Sequence, residues 1–140
     1  MFGDFFRDLF NFRGVNWWVL LGGLGSNFIV FVIFGLGGAY LAMNEGTAAF
    51  YQTYGPVLMV LVIFVACVLT GWVTGKISDD YPVKHAFISS LGAVAPLLFM
   101  GVISLNPMML VLAGVAAAGN LNGGMLSVRK RHYHGPDGRD

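Results

Sequence analysis

Side chains able to ligate a metal or move a proton are scarce in this 140-residue chain, which holds three histidines and one cysteine. His85 stands at the edge of an apolar stretch, and His132 and His134 lie near the end of the chain. A bis-histidine haem needs two imidazoles at matched depth on facing helices, and only His85 is placed near one. It reads as an interfacial structural residue. It also offers a single contact to a bound lipid, quinone or pigment. His132 and His134 form an H-x-H pair beside Arg129, Lys130 and Arg131, two ligands where zinc takes three or four. Cys67 has no partner for an intrachain disulfide and reads as a small apolar residue. No P-loop, dinucleotide fingerprint, metalloprotease motif or nucleophile–base pair occurs in the sequence. An enzyme would have no residue to rest on.

The remaining polar groups within apolar sequence are Asn27, Asn120 and Asn122, with Ser26, Thr70, Ser89 and Ser90. No Asp, Glu, Lys or Arg stands in the middle of an apolar stretch. Such residues cost about 2.5–3.5 kcal/mol at membrane depth and usually mark transport or proton relay where they occur. Their absence argues against proton-coupled transport, voltage sensing and hydrolysis inside the bilayer. Interhelical hydrogen bonds of about 0.6–2 kcal/mol each can satisfy the asparagines. The alternative is a small oligomeric transporter or channel, with Asn27, Asn120 and Asn122 lining a shared aqueous path. Its gate would sit near Pro96, whose missing N–H frees the Gly92 carbonyl and should kink the helix.

The elements that must position these groups are set by composition. Hydrophobic residues make up 56% of the chain and charged residues 11%, against about 25% charged in an ordinary soluble domain. Mean hydropathy is +0.72. Four apolar stretches, residues 17–41, 55–75, 85–104 and 107–128, each reach the roughly 20 residues that cross about 30 Å of hydrocarbon as a helix. They are continuous and lack the alternation of a β-barrel. All eight basic residues fall on one side if each stretch is one crossing: Arg7 and Arg13 before the first, Lys76 and Lys84 between the second and third, and the other four after the fourth. Basic residues favour the cytoplasmic side in short loops, so both termini and the middle loop are expected there. Glu45 is the lone charge on the opposite side. Basic residues scattered over three segments among aspartates give no nucleic-acid surface.

Residues 1–14 carry Phe2, Phe5, Phe6, Leu9 and Phe10 at helical spacing with polar residues between. That pattern predicts an amphipathic helix in the interface plane, anchored or docked through Phe5, Phe6 and Phe10. Gly14 lets the chain turn into the bilayer. Trp17, Trp18, Trp72 and Tyr81 suit one membrane interface, and Tyr51 and Tyr54 the other. The first apolar stretch is too long for a signal h-region, and Tyr40 spoils a cut after Ala42, so an uncleaved anchor is expected. Pro56 and Pro107 stand near predicted helix starts, and Asn106 suits an N-cap. Residues 129–140 form a basic tail ending in the turn former Gly135-Pro136-Asp137-Gly138.

Small residues recur every four positions: Cys67, Gly71 and Gly75; Gly114, Ala118 and Asn122; Ala116, Asn120 and Gly124; Gly22 and Ser26. In lipid, such rows let helix backbones approach closely, and Gly71, Gly75, Gly119, Gly123 and Gly124 are the expected contact residues. The helix ends at 71–76 and 123–129 share small residues, an apolar pair and a basic stop, a hint of a duplicated hairpin. Lys76 closing a Gly-rich helix end and His85 opening the next helix resemble small uncharacterised four-span bacterial membrane proteins. That resemblance brings no activity with it; an uncleaved, compact four-span chain is expected in a bacterial cytoplasmic membrane. The expected fold is a four-helix transmembrane bundle (residues 15–128) behind an interfacial helix. The expected role is an accessory, assembly or scaffold subunit that packs against other integral membrane subunits or a second copy.

Overall fold

The computed structural model of the chain describes residues 2–133, with side chains described as far as Val128. It is helical, with no strand among the described residues: α1 (Phe2–Leu9), α2 (Trp17–Met43), α3 (Ala48–Ile77), α4 (Pro82–Ser89), α5 (Leu91–Ile103) and α6 (Pro107–Tyr133). Four helical segments are long and apolar enough to cross a membrane, with α4 and α5 together making the third. A 27-residue helix such as α2 extends about 40 Å at 1.5 Å per residue.

Helix ends follow local chemistry. The Asn16 side chain accepts from the Trp18 and Val19 N–H groups at 3.1 and 3.4 Å and caps α2. Asn106 Oδ1 accepts from Met108 N–H at 3.0 Å, and Pro107 opens α6. Between α5 and α6 the Asn106 N–H donates to Gly101 O while Leu105 takes a left-handed φ of 50°. That Schellman-type closure turns the chain back within four residues. Only residues 44–47 separate α2 from α3.

One expectation about a proline needs correction. Pro56 lies inside α3, which begins at Ala48 and so extends through much of the expected loop. The third span is interrupted at Ser90, six residues before Pro96, which sits inside α5. Ser89 and Ser90 donate to the carbonyls of Ala86 and Phe87, three residues back, at 2.8 and 2.6 Å. Such back-bonding competes with the helical ladder and bends helices. The interruption therefore falls at the serine pair. Helix α6 also runs on through residues 129–131 to Tyr133.

The spans pack in the cyclic order α2, α3, α6, α4/α5. The broadest seam is α3 against α6, whereas α2 and α6 face each other across a diagonal with no close backbone approach. One half of the interior is apolar, built from Ile63, Cys67, Ala93, Leu97, Leu112, Ala113 and Ala116. The half toward the α3–α4 turn is polar and holds Thr74, Ser78, His85, Ser89, Ser90 and Ser127, all buried. Every fully buried side-chain nitrogen or oxygen among the described residues has a hydrogen-bond partner.

Candidate functional site

The α3–α6 seam is built from glycine because nothing larger fits. A Cβ on Gly71 would fall on the Asn120 backbone, one on Gly123 on the Val68 carbonyl, and one on Gly75 on the Ser127 hydroxyl. At Gly119 it would lie 2.8 Å from Cys67 Cβ, and at Gly124 2.8 Å from Ala86 Cβ on α4. All five glycines are thus consumed by packing within the chain. Two more, Gly23 and Gly92, bring α2 onto α4 and α5: a Cβ on Gly23 would lie 2.6 Å from Ser89 Cβ, and one on Gly92 would meet the Leu24 carbonyl. The sequence reading overlooked both, although Gly23 stands four residues before Asn27 in a small-residue spacing.

At mid-height the interior holds a closed amide pair. Asn120 Nδ2 donates to Asn27 Oδ1 at 2.8 Å, and Asn27 Nδ2 donates to Asn120 Oδ1 at 3.2 Å. The second N–H of each amide goes to its own helix, to Gly23 O and Ala116 O at 2.9 and 3.0 Å. The Thr70 hydroxyl stands within 3.3 Å of both amide oxygens and also donates to Cys67 O. This pair bridges the open α2–α6 diagonal, and both asparagines are fully buried.

The other polar groups do not form a path with it. Thr74, Ser89 and Ser127 bond to carbonyls of their own helices rather than to one another. Asn122 is two residues from Asn120 and therefore on another face. It is exposed and donates to Ala118 O at 2.8 Å. The structure brings Asn27 and Asn120 together and leaves Asn122 apart. Pro96 lies on α5, outside this cluster.

His85 closes the polar end and is 1% exposed. Its Nε2 accepts from the Asn16 backbone N–H at 2.8 Å, which puts the ring proton on Nδ1. Nδ1 faces the Ser78 hydroxyl at 2.9 Å and the Tyr81 carbonyl at 3.0 Å, and the Ser78 hydroxyl donates onward to Asp80 O. Both ring nitrogens are therefore engaged, tying the start of α2 to the α3–α4 turn. A quinone, pigment or metal could take Nε2 only by displacing the Asn16 N–H. The side chain of His132 and all of His134, with the Gly135–Gly138 turn, lie outside the described residues.

The N-terminal segment seats on this same end. Leu9 is buried, and Phe10 meets Phe87 of α4 edge-on at 5.7 Å. Phe5 and Phe6 remain 42% and 50% exposed. Gly14, at φ 76°, passes so close to the Tyr81 ring that a Cβ would lie 3.1 Å from it. Tyr81 itself is left-handed at φ 53°, a conformation costing a non-glycine residue about 1–2 kcal/mol.

On α6 the two small-residue rows part company. Ala116, Asn120 and Gly124 face inward, whereas Gly114, Ala118 and Asn122 face outward. Around Gly114 a Cβ would meet nothing within 4 Å. In comparisons with known proteins, no family model, no curated protein and no solved structure matches this chain.

Proposed function

We propose that the chain is a non-enzymatic integral protein of the cytoplasmic membrane, crossing it four times with both ends in the cytoplasm. In this reading it is an accessory, assembly or scaffold subunit that packs against other integral membrane proteins through the outer face of α6. The observation that carries the reading is the exposed Asn122 amide within the outward row of Gly114 and Ala118. Among the described residues Asn122 uses one N–H, on Ala118 O. Its other N–H and its carbonyl oxygen would face hydrocarbon, where an unmet polar group costs several kcal/mol. A neighbouring helix drawn close by the small residues would meet that need. The inward asparagines, by contrast, satisfy one another within the chain.

The test is purification of the chain from its native membrane in a mild, lipid-preserving detergent, with mass analysis of the intact assembly. Stoichiometric larger subunits are expected with the wild type and should be lost with Ala118→Leu, which fills the outward groove without touching the interior. A clean homo-oligomer with nothing attached would favour the small oligomeric transporter or channel instead. A bare monomer would overturn the scaffold reading.

A further inference from the structure

Where α1 and its following turn fold back on the start of α4 they border an open cavity of about 480 Å³ that none of the packing above fills. Its lining combines the apolar side chains of Phe5, Leu9 and Val83 with the charged ones of Arg13, Lys84 and Asp8. Lys84 is fixed there: its Nζ donates to the Arg13 carbonyl at 2.9 Å and lies 5.2 Å from the centre of the Tyr81 ring. The Arg13 guanidinium has no side-chain partner among the described residues. Two cations against one carboxylate leave a single positive charge. The cavity sits beside the capped start of α2, at the end of the bundle where Lys76 and Lys84 also lie.

We propose that this cavity binds the head group of one anionic phospholipid, with the phosphodiester between Arg13 and Lys84 and the first acyl carbons along Phe5, Leu9 and Val83. A phosphodiester carries the one negative charge the site lacks, and its oxygens match the guanidinium fork. The apolar part of the lining distinguishes a lipid from free phosphate, which would gain nothing from it. The Lys84 tie to the Arg13 carbonyl shapes the site before any ligand arrives. The proposal rests on the membrane reading above, and the experiment separates the two.

The full chain, delipidated in detergent, is titrated with dioleoylphosphatidylglycerol or dioleoylphosphatidylcholine and followed by native mass spectrometry. One phosphatidylglycerol per chain is expected to bind in preference to the neutral lipid. Arg13→Gln should weaken it about fivefold, and Arg13→Gln with Lys84→Gln roughly 25-fold, from about 1 kcal/mol per basic residue near an anionic lipid surface. Arg13→Gln leaves the backbone carbonyl held by Lys84 intact, so it reports the site even where the double variant folds poorly. Arg7→Gln, outside the cavity, should bind like the wild type, and Asp8→Asn should bind more tightly. Equal binding of the two lipids would overturn the proposal, as would unchanged affinity in Arg13→Gln. Displacement of the lipid by equimolar glycerol phosphate would also overturn it, assigning the site to a soluble phosphate. A chain that fails to partition into membranes at all would instead sink the membrane reading.

Discussion

An amide in a hydrocarbon interior must find a partner for every hydrogen, and Asn27 and Asn120 do so by pairing with each other across the diagonal. Replacing one strands the other. Asn120→Leu, which keeps the branched side-chain skeleton but carries no polar atom, leaves Asn27 with Gly23 O for one N–H and only the Thr70 hydroxyl near its oxygen, at a cost of about 1–3 kcal/mol. Replacing both by leucine removes the polar demand on each side. The double variant should therefore be more stable than the sum of the single losses implies, with a coupling of about 0.6–1.7 kcal/mol. A double-mutant cycle of detergent-monitored unfolding checks this; additive losses would mean that the two amides act independently. Much of this was legible at the level of residue type: the sequence puts asparagines at depth and requires hydrogen bonds for them. The choice of partner was not. Asn27 and Asn120 are separated by 93 positions, and only the angular offset between Asn120 and Asn122 on α6 decides that one turns inward and the other outward. His85 teaches the same lesson. Its place at a helix start is visible in the sequence, but its Nε2 partner is the backbone of Asn16, 69 residues away, and a backbone N–H leaves no trace in residue identity.

Among helices, the α3–α6 seam depends on backbone reaching backbone. Leucine at Gly123 would have to displace Val68 and Trp72 of α3, neighbours that are backbone and cannot yield. Leucine at Gly114 enters open space. Gly123→Leu should destabilise the fold by more than about 3 kcal/mol, at or beyond the upper range for overpacking a core. Gly114→Leu should leave thermal stability nearly unchanged while disturbing assembly. Comparable melting temperatures for the two variants would refute this distinction. Periodicity alone shows four-residue rows of small residues on α6. It gives no absolute orientation, because a helix glycine-rich on several faces has no apolar contrast to mark its inner side. The same blindness explains the interruption in the third span. Pro96 draws attention because proline lacks a donor, whereas Ser89 and Ser90 become helix-breaking only when both hydroxyls turn back to the carbonyls of Ala86 and Phe87.

For the molecule as a whole, charge and geometry meet at one end. Arg13 and Lys84 line a common cavity, Lys76 closes α3 beside the same turn, and the His85–Asn16 contact binds these segments together. The opposite end holds the α2–α3 turn with Glu45 and the tight Leu105–Asn106 turn, without a basic residue. Basic residues resist transfer across the membrane, so the basic end should be cytoplasmic. The order of the spans was legible from composition because apolar length is a property of single segments. Their cyclic arrangement required the glycine contacts. In a Cys67→Ala background, single cysteines at Glu45 and at Leu105, which is 88% exposed, should react with a membrane-impermeant maleimide added to intact cells. A cysteine at Asn11, also exposed, should react only after the membrane is opened. Labelling of Asn11→Cys in intact cells, with protection at positions 45 and 105, would invert the topology. It would also place the Arg13–Lys84 cavity in the outer leaflet, where an anionic lipid of the cytoplasmic leaflet could not reach it.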